Sequence, residues 1–259
     1  MRPHILITND DGIHAPGIKH LWKGLAPHFD VTVIAPATEQ SAVGLGITTR
    51  QPIRIERHQW EGDSRVFSVT GTPADCVKLA FSAILTDNPP TLVVSGMNRG
   101  SNAGWNVLYS GTVAGAIEGV MQGIPAIAFS CYDYFDPDYS EGEKHAAKIV
   151  HHVLQNPLPA GTLLNVTFPE KGLYPVKGFK MARQGKEMIV AEPDKRIHPT
   201  EKHDYYWLGF KMHRPEEEEG SEITWLRQGY CTASPLHVHQ LTDEKYLISS
   251  ENHFNRIEV

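Results

Sequence analysis

Six short apolar runs recur through the first 170 residues, most of them followed by a segment with helical spacing. That alternation limits the fold more than any other feature of the chain. The runs are residues 5–8, 31–36, 66–69, 91–96, 126–130 and 163–168. A run that is apolar on successive residues needs cover on both faces, which is the situation of a parallel strand in an α/β sheet. Between the runs, residues 16–27 place Ile18, Leu21, Trp22 and Leu25 on one helical face, with Pro16 in the first turn. Thr72 is the expected N-cap, and Pro73 the first residue, of a helix running to Leu85. Two further helices are expected over residues 113–122 and 140–155, the second with Ala146, Ile149, Val150 and Val153 inward. The pattern predicts an α/β, Rossmann-like fold: a mostly parallel sheet with helices on both faces and right-handed crossovers.

The spacing also predicts an antiparallel or edge strand over residues 47–55 and a strand over 236–241. A change in composition after about residue 171 divides the expected single domain, 1–259, into an α/β core (1–175) and an extension (176–259). The extension reads as a β-hairpin arm carrying Tyr205, Tyr206, Trp207 and Phe210, an acidic run Glu216 to Glu219 expected to be a solvated turn, and a C-terminal tail.

A formal net charge of -6 argues against a broad grip on nucleic acid. No apolar stretch approaches the roughly 20 residues of a membrane span. The first strand follows Met1 too closely for a signal peptide. Cys76, Cys131 and Cys231 form neither a metal pattern nor a disulfide framework, so a cytoplasmic chain with reduced thiols is expected. His151–His152 and His237–Val238–His239 read as surface or half-buried histidines; the second pair would share one side of a strand, but neither has a cysteine or carboxylate nearby to complete a metal set.

The first strand runs directly into Asn9, Asp10, Asp11 and Gly12. Ligands of α/β sheets bind at strand carboxyl ends, and two adjacent carboxylates there repel unless a cation or proton sits between them. Helix capping accounts for one aspartate and not for two, so a hard divalent metal is the leading reading. Residues 95–104 follow another buried strand. Their glycines admit a close backbone approach, and Asn98 and Asn102 offer amide oxygens to a metal or N–H groups to a phosphate. Ser110, Gly111 and Thr112 open a helix whose first-turn N–H groups favour an anion, although no P-loop signature is present. Ser41 matters only because its strand is expected beside the first, and no nucleophile elbow surrounds it.

Together, five ordered segments resemble the stationary-phase survival protein E (SurE) family of metal-dependent nucleotide phosphatases. They are residues 9–12 with 15–17, 40–42, 71–77, 95–100, and 109–113 with 118–119; residues 229–236 add a weaker match with its hydroxyl residues exchanged. The resemblance implies a metal held by Asp10, Asp11, Ser41 and Asn98, and phosphate-side positions at Asn9, Ser110, Gly111 and Thr112. The chain departs from the family at Trp105–Asn106, where an acidic residue is common.

An all-oxygen ligand set suits one Mg²⁺ or Mn²⁺ per subunit rather than Zn²⁺. Backbone N–H groups near Gly96 and Asn98 and at the 110–112 helix start would then receive phosphoryl charge. Asn9 is the candidate donor to the phosphate; Asp10 and Asn9 are the catalytic candidates, and one of the two aspartates, Asp10 or Asp11, is a candidate to steer the water, with no dedicated general base assigned. The resemblance implies hydrolysis of nucleoside 5′-monophosphates, with 3′-monophosphates as further candidate substrates, in a homodimer or homotetramer. Tyr109, Tyr205 and Trp207 are candidates for stacking on the base. Two alternatives stand beside this: a nucleotide-binding or sensing protein with little turnover, and an aspartyl-phosphate mechanism on Asp10. The latter asks for a carboxylate where the chain has Gly12.

Overall fold

In the computed structural model, which describes residues 2–62 and 64–255, successive residues of the central strands face two different apolar layers. Ile5 and Ile7 join one buried cluster with Ile18, Leu21 and Leu25, whereas Leu6 joins the other with Val77, Val113 and Val120. Val33 and Ala35 are divided from Ile34 in the same way, and Leu92 and Val94 from Val93. Both faces of the sheet are covered, which is why these runs are apolar at every position.

The chain runs β1 (His4–Thr8), α1 (Pro16–Leu25), β2 (Asp30–Pro36), β3 (Ile55–His58), β4 (Arg65–Val69), α2 (Pro73–Leu79), β5 (Leu92–Arg99), α3 (Gly111–Met121), β6 (Ala126–Cys131), α4 (Ser140–Gln155) and β7 (Thr162–Phe168). The extension supplies β8 (Phe179–Met181), β9 (Met188–Val190), β10 (Asp194–Ile197), β11 (Asp204–Trp207), β12 (Lys211–His213), α5 (Glu222–Leu226), β13 (Cys231–His237) and α6 (Glu244–Phe254). One nine-stranded sheet has the order β3-β4-β2-β1-β5-β6-β7-β13-β8. The strands from β4 to β7 in that order are parallel. β3 is antiparallel to β4 and β13 to β7, and β8 runs parallel to β13. The chain steps outward from β1 to β2 and β4, then returns to lay β5 on the other side of β1. Strand order therefore reverses between β1 and β5, and the carboxyl ends of these two strands are where such a sheet takes its ligand.

Residues 47–54 form no strand. Their backbone donors go to side chains instead of a ladder: Thr48 N–H to Asp75 (3.0 Å) and Arg54 N–H to Thr70 Oγ1 (2.9 Å), so pairing starts only at Ile55. The expected strand at 236–241 lies earlier, because pairing with β7 runs from Thr232↔Thr167 to His237↔Thr162. His239 consequently falls beyond the strand that ends at His237. β5 continues past Gly96 to Arg99 through a register shift between Ser95 and Asn98, so Asn98 sits on a strand end and not in a free loop. Helix α2 passes at Ala80 into a π-helical turn, Ala80–Ile84.

The arm is a nested hairpin, with β9 paired to β12 at its base and β10 to β11 further out. The acidic run is more than a solvated turn: Glu217 accepts from Lys186 N–H (2.9 Å), and Glu218 pairs with Arg183 and Lys186. The final residues of the expected C-terminal tail, 256–259, lie outside the described residues. Among the described residues no helix is long and apolar enough to cross a membrane.

Thr72 caps α2 as its sequence predicts, in a reciprocal box. Its Oγ1 accepts from Asp75 N–H (3.1 Å), and Asp75 Oδ2 accepts from Thr72 N–H (2.9 Å). Thr72→Ala is expected to cost about 1 kcal/mol, read as a lower midpoint in a urea melt with an unchanged m-value. An unchanged midpoint would show that Asp75 alone holds this end.

Candidate active site

Asp10 is 4% exposed at the end of β1, beneath the first turn of α3. Helix α3 approaches so closely because Gly111, Gly115 and Gly119 form a bare stripe along it. A β-carbon on each would meet, respectively, Asp10 Cβ at 2.7 Å, Thr8 Cγ2 at 2.8 Å and Val93 Cβ at 2.8 Å. The Thr112 hydroxyl donates to Asp10 Oδ1. Ser110 is the N-cap, its Oγ accepting from Val113 N–H (3.0 Å). The helix start and the carboxylate pair thus make one site, with the positive end of α3 turned onto Asp10.

Asp11 accepts from Arg99 N–H (3.0 Å), which draws the end of β5 against β1. The neighbouring Asn98 donates its Nδ2 to Gly100 O (2.8 Å), and among the described residues no hydrogen bond engages its amide oxygen. Gly96 is required by packing: with φ at +126°, a β-carbon would stand 2.2 Å from Phe129 O. Asn9 is fully buried and donates its Nδ2 to Gly12 O (3.0 Å), while among the described residues its Oδ1 has no partner.

The loop after β2 folds over the same edge. Ile13 N–H donates to Pro36 O (2.8 Å), Gln40 N–H to Asp10 O (2.7 Å) and Gly44 N–H to Tyr109 O (3.0 Å). Ser41 lies on this loop, exposed, with its hydroxyl donating to Glu39 (2.6 Å). Tyr109 lies at the turn before α3, whereas Tyr205 and Trp207 are on the arm.

The electrostatics of this edge favour a cation. Burial pushes the Asp10 carboxyl up, against the opposing pull of the Thr112 hydroxyl and the Thr112 and Gly111 N–H groups. Asp11 is pushed up to about 7, first by burial and then by the charge on Asp10. Among the described residues no group of three or more His, Cys, Asp and Glu is placed to hold a metal. Any ion here would therefore be held by the two aspartates completed with neutral oxygens, a donor set for a hard cation. The two acids and the open Asn98 oxygen fit such an ion.

Three residues near the site, Glu39, Arg99 and Tyr134, were given no role from the sequence. Glu39 takes the Ser41 hydroxyl and, at 3.4 Å, the guanidinium of Arg99. Arg99 also lies 4.7 Å from the ring of Tyr134. These contacts join positions 39, 99 and 134, and no local spacing reveals them.

Residues 5–191 match the family model described as Survival protein SurE. Over 251 residues the chain is 50% identical to the 5'-nucleotidase SurE of Protochlamydia amoebophila (strain UWE25), covering 96% of both chains. It is 42% identical over 243 residues to the 5'-nucleotidase SurE of Moorella thermoacetica (strain ATCC 39073 / JCM 9320), covering 93% of this chain and 92% of the relative. The crystal structure of the Sure protein from Aquifex aeolicus superposes with a TM-score of 0.83 at 36% identity, covering 97% of this chain and 100% of that one.

Proposed function

The chain belongs to the survival protein SurE family, and from that membership we infer that it is a metal-dependent 5'-nucleotidase, hydrolysing nucleoside 5'-monophosphates to nucleoside and phosphate. The observation that carries this reading is the Asp10–Asp11 pair, the first buried and the second half-buried, set under the N-terminus of α3 at the sheet's reversal point. A reading as binding without turnover is less favoured, since relatives matched along nearly the whole chain are named for the activity.

Asp10, Asp11, Ser41 and Asn98 would hold the ion, Mg²⁺ or Mn²⁺, one to a subunit. Once bound, a divalent ion supplies positive charge to the phosphoryl oxygens and makes water more acidic. The chain's own residues do the rest. The helix-start N–H groups of Gly111 and Thr112, with Ser110 fixing that turn, receive the equatorial oxygens, assisted by backbone near Gly96 and Asn98. The second amide hydrogen of Asn9 is a further donor toward phosphate, and Asp10 orients the attacking water. The same reading includes 3'-monophosphates as secondary substrates, stacking of the base on Tyr109, Tyr205 or Trp207, a homodimer or homotetramer built through the extension, and a cytoplasmic location, for which the three free, buried cysteines are support.

The test is phosphate release from nucleoside 5'- and 3'-monophosphates before and after chelation. We expect activity to vanish with chelator and return with Mn²⁺ or Mg²⁺. Full activity in the chelated protein would overturn the metal reading.

A further inference from the structure

Trp105 and Leu108 are 50% and 75% exposed, yet Asn106 between them is only 3% exposed. An asparagine in an exposed turn ordinarily faces water. This one is buried because it grips the arm. Its Oδ1 accepts from Ile189 N–H (2.7 Å) and its Nδ2 meets Met212 Sδ (3.8 Å). Ile189 and Met212 are register partners across the base of the arm, so one side chain touches both strands, β9 and β12.

On its other side Asn106 shapes the turn that ends in the phosphate-side residues. Its carbonyl accepts from Tyr109 N–H (3.0 Å), Ser110 follows as the cap of α3, and the Tyr109 carbonyl accepts from Gly44 N–H in the Ser41 loop. The start of the same segment is clamped independently. Trp105 N–H donates to Glu187 O (2.9 Å), and the buried Glu222 accepts from Gly104 N–H (2.8 Å) and Gly185 N–H (3.0 Å). With Gly104 and Trp105 fixed, Asn106 is the side chain through which the arm reaches the turn itself.

We propose that Asn106 is a positioning residue that couples the arm to the phosphate-side turn, so that the seating of β9 and β12 sets where Ser110, Gly111 and Thr112 stand against Asp10. The proposal rests on the functional reading above for the identity of the anion. The acceptor is what matters: an aspartate at 106 retains an oxygen for Ile189 N–H, and an alanine does not.

The experiment compares wild type, Asn106→Ala and Asn106→Asp with Mn²⁺ present. It measures the Kd of inorganic phosphate by calorimetry and the KM and kcat for a nucleoside 5'-monophosphate. In Asn106→Ala, phosphate Kd and nucleotide KM are expected to rise on the order of ten-fold, and Asn106→Asp to bring both within about two-fold of wild type. A side chain that only stabilises the fold would lower the melting temperature and the active fraction and leave Kd and KM unmoved. Unmoved constants in Asn106→Ala, or an Asn106→Asp protein no better than Asn106→Ala, overturn the proposal. Phosphate binding requires no turnover, so a wild type that binds phosphate and hydrolyses no nucleotide defeats the functional reading while the coupling is still decided by the Kd series.

Discussion

Asp10→Asn is expected to lower kcat/KM for nucleoside monophosphates by on the order of 10³ or more, about 4 kcal/mol of transition-state stabilisation, and at the same time to make the metal-free protein more stable. The asparagine is nearly isosteric and its Oδ1 still accepts from the Thr112 hydroxyl, so the contact between β1 and α3 is retained. What disappears is a buried negative charge. Burial raises the carboxyl of Asp10, and burial together with the Asp10 charge raises Asp11 from 3.8 to about 7. A carboxyl with a raised pKa in the folded state contributes stability that is complete below its unfolded value and is lost as pH rises through its folded value. Chelated wild type should therefore melt at progressively lower temperature as pH climbs from about 4 through about 7. Chelated Asp10→Asn should show a shallower decline, because Asp11 no longer faces a second charge. Adding Mn²⁺ at pH 8 should raise the melting temperature of wild type and leave the variant nearly unchanged. Retained activity would remove Asp10 from the site; lost activity accompanied by a less stable apo-protein would make it a structural residue.

The sheet was legible because its central strands are apolar on every residue, a pattern that few other settings produce. The edge of the sheet that holds the candidate site was legible for a related reason: Asp10–Asp11 follows such a strand with two charges at its carboxyl end. Other features depend on partners distant in sequence. Residues 47–54 alternate like a strand, yet Asp75 and Thr70 take their donors. Asn98 reads as a loop residue after Gly96, but β6 pairs with β5 beyond the irregularity and keeps Asn98 on the strand. The burial of Asn106 depends on Ile189 and Met212, some 80 and 106 residues further along. Its sequence signal was only a departure from a familiar motif. The glycines at 111, 115 and 119 were visible as small residues at a helix start; their four-residue spacing, and hence the stripe, becomes meaningful once β1 and β5 lie beneath α3.

That stripe supplies the other large expected effect. Gly111→Ala should lower kcat/KM on the order of 10²-fold or more and weaken metal binding, although alanine is the better helix residue by about 1 kcal/mol. The new β-carbon would stand 2.7 Å from Asp10 Cβ and 2.9 Å from Asp10 Oδ2. Asp10 is buried and held by Thr112, so it has no open space to move into. Either the carboxylate shifts or the helix start lifts, and each outcome separates the proposed ligand of the ion from the proposed phosphate donors; an error near 1 Å is enough for a loss of this size. Gly115→Ala is the control, one helical turn further along the same stripe. Its β-carbon would crowd Thr8 Cγ2 at 2.8 Å and Ser95 Oγ at 2.9 Å, a comparable clash away from the carboxylates. It should lower the melting temperature by several degrees and leave the activity of the folded fraction within a few-fold of wild type. Equal losses of specific activity in the two variants would mean that α3 acts only as packing for the sheet, and that its first turn has no special relation to Asp10.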